Sequence, residues 1–353
     1  MTKPIKEKEK IDAILDKSIP DYRQAYSDRT CWIMSYLSEL AYYRFEPLFK
    51  NDKKKKLLSK LIDKSEDVLE KRKDLSVLKQ VIDSLVYDEK EEKKKLISEL
   101  KDLRMSLIDT FANDKLDTQA ILIGMQDKIV LSFRGTEAMS FKDMKTDFTA
   151  TLVPCETGGG IHEGFDKAYN GIIGKIEARL AKDDVKDKVL YLSGHSLGGA
   201  LAVIAAKKLK HGAGLAACYT FGMPRVGDAK WITGIKTPIY RVVNAVDGVT
   251  MLPFGDLMVT VVKSLLGFIP KYGTNLKEKF SKNYEGYMHC GNMRYLTDCR
   301  SGDYSNLQLL YSVSGWYRAK QWWKSKFFKG FLKDHSIAVY RKKLLMIAER
   351  NNK

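Results

Sequence analysis

The chain has 353 residues, 44% of them hydrophobic and 30% charged, enough to bury a large core in one elaborated α/β domain or in a domain with an appendage. Its 61 lysines and arginines against 44 acids leave a net charge of +17, an excess that fits an acidic partner, either nucleic acid or an anionic lipid surface. No groove-reading motif accompanies the charge, which sets nucleic-acid binding aside, and five cysteines at no metal-like spacing argue against a disulfide scaffold or a zinc site. Only Cys290 and Cys299 are close enough in sequence to pair locally.

The N-terminal stretch MTKPIKEKEKIDAILDKSIP has no apolar core of a signal peptide, and no uninterrupted apolar span is long enough to cross a bilayer. The expectation is a soluble protein without a Sec signal, either cytoplasmic or exported by another route. Residues 21–45 read as helical. From about 50 to 117 the chain is rich in Lys and Glu, and apolar residues recur at helical spacing: Leu75, Leu78, Ile82 and Leu85, then Leu96, Leu100, Leu103, Leu107 and Phe111. This predicts two or three amphipathic helices inserted into a single domain, resting one stripe on its body. A catalytic core follows over about 118–345. DTQAILIGM, DKIVLSFRGT, KVLYLSG, LAACYTFGM and IYRVVNAVD read as strands, with helices around 164–181 and 197–210. Apolar strands separated by helices imply a mostly parallel central sheet with helices on both faces, whose functional edge lies at the carboxyl ends of the strands. Thr136, Ser196 and Asp247 each follow such an end.

GHSLGG, residues 194–199, carries the chemistry. A serine between two glycines, after a strand and before an alanine-rich helix, is a nucleophile elbow. The strand-to-helix turn is so sharp that a Cβ at either flank would collide with a neighbouring strand or helix. A serine at its ordinary pKa is a poor nucleophile and needs a base held by a carboxylate. Of the five histidines, His195 lies inside the elbow and points away from the serine, His162 precedes a helix, and His211 ends one. In the chain order serine, acid, histidine, the base is His289 or His335. His335, on a loop before the final helix, is favoured. Asp247, at a strand tip on the serine's edge, is the acid, because Asp334 is too close to its neighbour to bond Nδ1. The oxyanion donors would be the amide of Leu197, at a helix start, and that of Thr136. No cofactor and no metal is called for.

FRGT (133–136), HEGF (162–165), GHSLGG, FGMPRVGD (221–228), RVVNAVDGVTMLP and DHS before the last helix together resemble the motif series of the class 3 lipases, from about 118 to 340. The resemblance implies an α/β-hydrolase with Ser196, Asp247 and His335 as triad, Leu197 and Thr136 as oxyanion hole, a helical lid over 137–146 and Asp147 as the acid behind it. Residues 50–117 have no counterpart there. Residues 256–272 form a longer and more apolar stretch than the family shows, fit for a second lid, an acyl-chain wall or a core helix. In residues 316–333, Trp316, Trp323, Phe327, Phe328 and Phe331 share one arc of a helix, and Arg318, Lys326, Lys329 and Lys333 another, which suits a membrane interface. The expected activity is hydrolysis of lipid carboxylic esters, triacylglycerols first, through an acyl-serine. The alternatives are a phospholipase A1 acting as a membrane-directed toxin and a silent hydrolase scaffold.

Overall fold

The computed structural model describes residues 3–16, 25–45, 88–113, 116–135, 151–253, 285–300, 302–324 and 333–351. In chain order the elements are α1 (Lys3–Leu15), α2 (Asp28–Leu40), α3 (Glu89–Asp102), β1 (Ser106–Asn113), β2 (Thr118–Met125), β3 (Lys128–Phe133), β4 (Leu152–Pro154), β5 (Gly160–His162), α4 (Glu163–Leu180), β6 (Leu190–His195), α5 (Leu197–Lys208), β7 (Leu215–Phe221), β8 (Gly227–Asp228), α6 (Ala229–Thr233), β9 (Ile239–Asn244), β10 (Tyr287–Met288), β11 (Asn292–Leu296), β12 (Leu309–Leu310), α7 (Gly315–Lys324) and α8 (Ile337–Asn351). They fall into two compact units, residues 43–102 and the remainder.

The larger unit is built on an eight-stranded sheet in the order β1-β2-β3-β6-β7-β9-β11-β12. From β3 to β11 neighbouring strands run parallel, while β1, β2 and β12 are antiparallel additions at the edges. Strands β3, β6 and β9 are buried along their whole length, as parallel strands covered on both faces must be. This is the expected α/β-hydrolase architecture, with α4 and α5 supplying the core cluster on one side and α2 packed on β6, β7 and α8 on the other.

Helix α5 is buried from Gly198 to Ala206, all round rather than on one stripe. Its small residues let it lie close against both β6 and β7. Helix α2 is capped by Ser27, whose side chain accepts from the Thr30 amide at 3.4 Å. Its inner face offers hydroxyls rather than only hydrocarbon. Ser38 Oγ lies 2.6 Å from Ser193 Oγ, Ser193 also donates to the Met34 carbonyl at 2.9 Å, and Ser132 donates to that of Leu37 at 3.2 Å. Strands β3 and β6, the two that end at the site, are thus cross-linked to one helix beneath them.

Several sequence expectations are corrected. Residues 106–113, read as a continuation of the helical insert, form an edge strand: α3 ends at Asp102, Arg104 adopts φ 59°, and the chain then pairs with β2. The matching spacing of Leu103, Leu107 and Phe111 was accidental, and Phe111 faces the core from the strand. The helix expected over 21–45 occupies 28–40 among the described residues, and α1 was not foreseen. Nor was a second, four-stranded sheet, β10-β8-β5-β4, whose strands are two or three residues long. Cys290 is a buried free thiol and Cys299 a half-buried one, so the local pair does not form. In the smaller unit, α3 buries Leu96 and Leu100 and carries exposed Glu91–Lys94 and Glu92–Lys95 pairs. Residues 46–87 of the charged stretch lie outside the described residues.

His162 is the N-cap of α4, its Nδ1 accepting from the Gly164 amide at 3.1 Å and more weakly from that of Phe165, on whose ring it stacks. Burial holds the imidazole neutral, its pKa down at about 4. Since an unfolded histidine titrates near 6.5 and this one does not until about 4, the unfolded state binds the extra proton between those values, and stability must fall as pH drops through that window. Denaturant titrations from pH 7 to pH 4 should show this loss, on the order of 3 kcal/mol for this residue. His162→Asn, which keeps a capping acceptor but cannot charge, should flatten the slope.

Candidate active site

The elbow is strained where the motif requires it. Ser196 sits at φ 57°, ψ −126°, between β6 and α5. A Cβ on Gly194 would overlap the backbone of Gly198, and one on Gly198 would overlap the Phe133 carbonyl at the end of β3. The Ser196 amide is tied to the Phe221 carbonyl at 2.9 Å. The Leu197 amide heads α5, in the turn whose N–H groups have no partner within a helix.

Three side chains from distant parts of the chain converge here. Ser196 Oγ lies 2.9 Å from His335 Nε2, and His335 Nδ1 lies 3.0 Å from both carboxylate oxygens of Asp247. A carboxylate only accepts, so Nδ1 carries the proton and Nε2 is left to accept from the serine. The Asp247 carboxylate is fully buried. It is further held by the Tyr340 hydroxyl, donating at 2.6 Å, and by the Val249 amide at 3.0 Å.

The loops that deliver Asp247 and His335 are fastened to each other. Asn244 Nδ2 donates to the Asp334 carbonyl at 2.8 Å, Asp334 Oδ2 accepts from the Val246 amide at 3.3 Å, and buried Lys343 on α8 donates to Asn244 Oδ1 at 2.7 Å. Asp334 therefore fixes the turn that carries Asp247, one residue before the histidine it cannot reach.

Of the remaining histidines, His195 donates from Nε2 to the His335 carbonyl at 2.6 Å and accepts at Nδ1 from the Tyr42 hydroxyl at 2.7 Å. Burial and the neighbouring His335 push its pKa well down, so it stays neutral. It points away from Ser196, yet it holds the main chain of the base. His289 donates from Nε2 to the Thr250 carbonyl at 2.6 Å and does not join the serine. Burial, then Arg241, Arg225 and Arg318, keep it neutral. His211, expected to end a helix, lies beyond α5, which stops at Lys208, and bonds the Lys188 carbonyl.

Tyr42, Tyr340, Asn244 and Gly222 were not singled out from sequence. Tyr340 and Asn244 carry no local signal, because their partners lie 93 and 90 residues away. Gly222 does carry one, as the glycine of FGMPRVGD. It adopts φ 60°, and a Cβ there would come within 2.8 Å of Asp247 Oδ2 and 2.9 Å of His335 Nδ1. The other motif residues are structural. Arg134 of FRGT donates to Gln119 at 2.7 Å and pairs with Asp117, and Asp228 of FGMPRVGD caps α6 through the Trp231 amide at 2.7 Å.

Thr136, the lid expected over 137–146 and Asp147 lie outside the described residues, as does the apolar stretch 256–272. Gly135, just before Thr136, packs so closely on the site that a Cβ there would sit 3.1 Å from Ser196 Cβ and overlap the Tyr42 hydroxyl. Among the described residues no cluster of His, Cys, Asp or Glu could hold a metal ion. No described helix is long and apolar enough to cross a membrane.

The Gly222 contact makes a test of the geometry. A phosphonate-ester probe reacts with an activated serine, and Gly222→Ala should slow labelling of Ser196 by about a hundredfold, by wedging the imidazole off its carboxylate. An unchanged rate, read by intact-protein mass spectrometry, would show that the pair tolerates the methyl.

A family model described as lipase (class 3) matches residues 130–257, a span that includes Ser196 and Asp247 but not His335. The chain is 32% identical over 133 residues to secreted mono- and diacylglycerol lipase 1 of Fusarium solani, a match covering 36% of this chain and 39% of that protein. It is 30% identical over 145 residues to toxin TseL of Vibrio cholerae, covering 40% of this chain and 20% of the toxin. The chain thus spans less than half the length of these curated relatives. Among solved structures, a lipase from Rhizopus microsporus var. chinensis aligns at a TM-score of 0.45 with 24% identity, over 69% of this chain and 76% of that one. The likeness to the class 3 lipases is thus carried by residues 130–257, about a third of the chain.

Proposed function

We propose that this protein hydrolyses the carboxylic esters of lipids through an acyl-serine intermediate. The observation that carries the proposal is the unbroken hydrogen-bonded series Ser196, His335, Asp247. In this reading Ser196 attacks the ester carbonyl, and His335 takes the hydroxyl proton at Nε2 and returns it to the departing alcohol. Asp247 keeps Nδ1 protonated and faces the imidazolium that forms. The Leu197 amide, with that of Thr136, receives the oxyanion; each such donor contributes about 3 kcal/mol in comparable enzymes. Water then repeats the sequence on the acyl-enzyme. A silent scaffold would have no use for a serine in strained φ or for a carboxylate buried against a histidine. Both features support an enzyme.

Glycerides are the proposed substrates, in line with the names of the Fusarium solani relative and of a triacylglycerol lipase from Ricinus communis, 28% identical over 188 residues. The match to a Vibrio cholerae toxin and the net charge of +17 support a second reading, action on the phospholipids of a target membrane. Purified protein offered matched triacylglycerol emulsions and phospholipid vesicles separates the two. Ser196→Ala and His335→Ala should each lower turnover by about 10⁶ on the preferred substrate, as loss of a triad member does elsewhere. His289→Ala should lower stability while the folded fraction keeps its turnover. The reverse ranking of the histidines would overturn the assignment of the base.

The proposed contact with lipid lies on α7. Trp316 is 81% exposed, and Lys320 is exposed one turn further on. A tryptophan favours the headgroup region, and a lysine near an anionic surface contributes about 1 kcal/mol. Arg318 leaves this arc, being buried, and the side chains of 322–333 other than Lys333 lie outside the described residues. Trp316→Ala with Lys320→Ala should weaken binding to anionic vesicles, increasingly so at low salt, and leave hydrolysis of a soluble short-chain ester within about twofold. Equal losses on both substrates would overturn this docking face.

A further inference from the structure

Arg318 is out of place as a surface residue. It belongs to α7, a helix read from sequence as basic and interfacial, yet its side chain is only 8% exposed. Its Nη2 donates to Thr250 Oγ1 at 2.7 Å, and Thr250 Oγ1 donates in turn to the Asp247 main-chain carbonyl at 2.8 Å. Its Nε has no hydrogen-bond partner among the described residues. Among the described residues no carboxylate is within ion-pair distance of it. A buried guanidinium without a counter-charge is expensive. The carboxylate whose field acts on Arg318 is that of Asp247, and Asp247 has the complementary problem. It is fully buried and bonded to His335, Tyr340 and the Val249 amide, and among the described residues no lysine or arginine is in contact with it.

We propose that Arg318 is a positioning residue for the triad: through Thr250 it fixes the turn that carries Asp247, and it places a positive charge near that buried carboxylate. The inference rests on the ester-hydrolase reading of the same site. The bridge ends on the main-chain carbonyl of Asp247, so Arg318 acts on this residue without competing with His335 for its carboxylate oxygens. Thr250 is the hub of the arrangement, since its carbonyl is also taken by His289. Two neighbouring arginines, buried Arg241 and half-buried Arg225, are engaged differently. Arg241 donates to the Cys290 carbonyl at 3.3 Å, and Arg225 to the carbonyls of Met251 and Pro253. Because α7 also bears Trp316, the element proposed to meet lipid is pinned to the loop of the triad acid.

The test reads charge rather than packing. Replacing Arg318 by a neutral side chain removes a positive charge near the His335–Asp247 pair, which favours the protonated form of the pair as a whole. The acidic limb of the reaction must then move upward. The other titratable groups facing the pair include Tyr340 on α8, Asp334 before it, Tyr295 on β11, His195 at the elbow, and Arg241 and His289 beside Thr250. All are unchanged in the variants used, which isolates the one charge.

Rates of Ser196 labelling by a phosphonate-ester probe would be followed from pH 4.5 to 8.5 in the wild type and in Arg318→Met, Arg318→Gln, Arg318→Lys and Thr250→Val. The methionine and glutamine variants should move the limb up by about half a pH unit and lower the plateau by about tenfold. Lysine should restore the limb. Valine keeps the charge and breaks the bridge, so it should lower the plateau and leave the limb in place. Limbs coinciding in wild type, Met and Gln, or lysine behaving like methionine, would overturn the proposal even where plateau rates fall. If Met fails to fold, Gln against Lys decides. No labelling of wild-type Ser196 would instead overturn the ester-hydrolase reading, and this proposal with it.

Discussion

Everything at the site depends on the close approach of three backbone segments around Ser196. Strand β6 meets the first turn of α5 at Gly194 and Gly198, and Gly198 in turn rests on the carbonyl that ends β3. No side chain fits in either contact, and the serine between them is held in the left-handed region. Strain of this kind costs on the order of 1–3 kcal/mol and persists only where the surroundings enforce it. Here the surroundings are a buried helix and fully buried strands. The serines of β3 and β6 bound to α2 hold those strands from below.

That constraint is why the site was legible before the fold was known. An elbow admits few residue types, so GHSLGG announces itself locally, and the chain order of acid and base narrows five histidines to two. His335 and Asp247 then meet as the spacing required. The supporting shell was not legible for the opposite reason. Tyr340, Asn244, Lys343 and Tyr42 are tied to their partners across distances of 93, 90, 99 and 153 residues. Nothing local marks a tyrosine that bonds a buried carboxylate.

Periodicity misled where two structures share an apolar pattern. Leu96 and Leu100 lie on a helix, but the same spacing continued through Leu107 and Phe111 into a strand, where cross-strand pairing with β2 outweighs helical propensity. Within 316–333 the helical wheel misplaced Arg318 for a different reason. It sorts side chains by polarity, and Arg318 is turned inward by a hydroxyl 68 residues away. The short strands of the second sheet are below the length at which alternation can be read at all.

The pairing of Ser196 with His335 spans 139 residues. The elbow lies between β6 and α5, whereas His335 arrives just before α8, whose Tyr340 and Lys343 also complete the surroundings of Asp247 and Asn244. On the ribosome, a chain that has already formed its elbow has no base until α8 emerges and docks on α2. The serine is therefore unarmed throughout synthesis of the sheet.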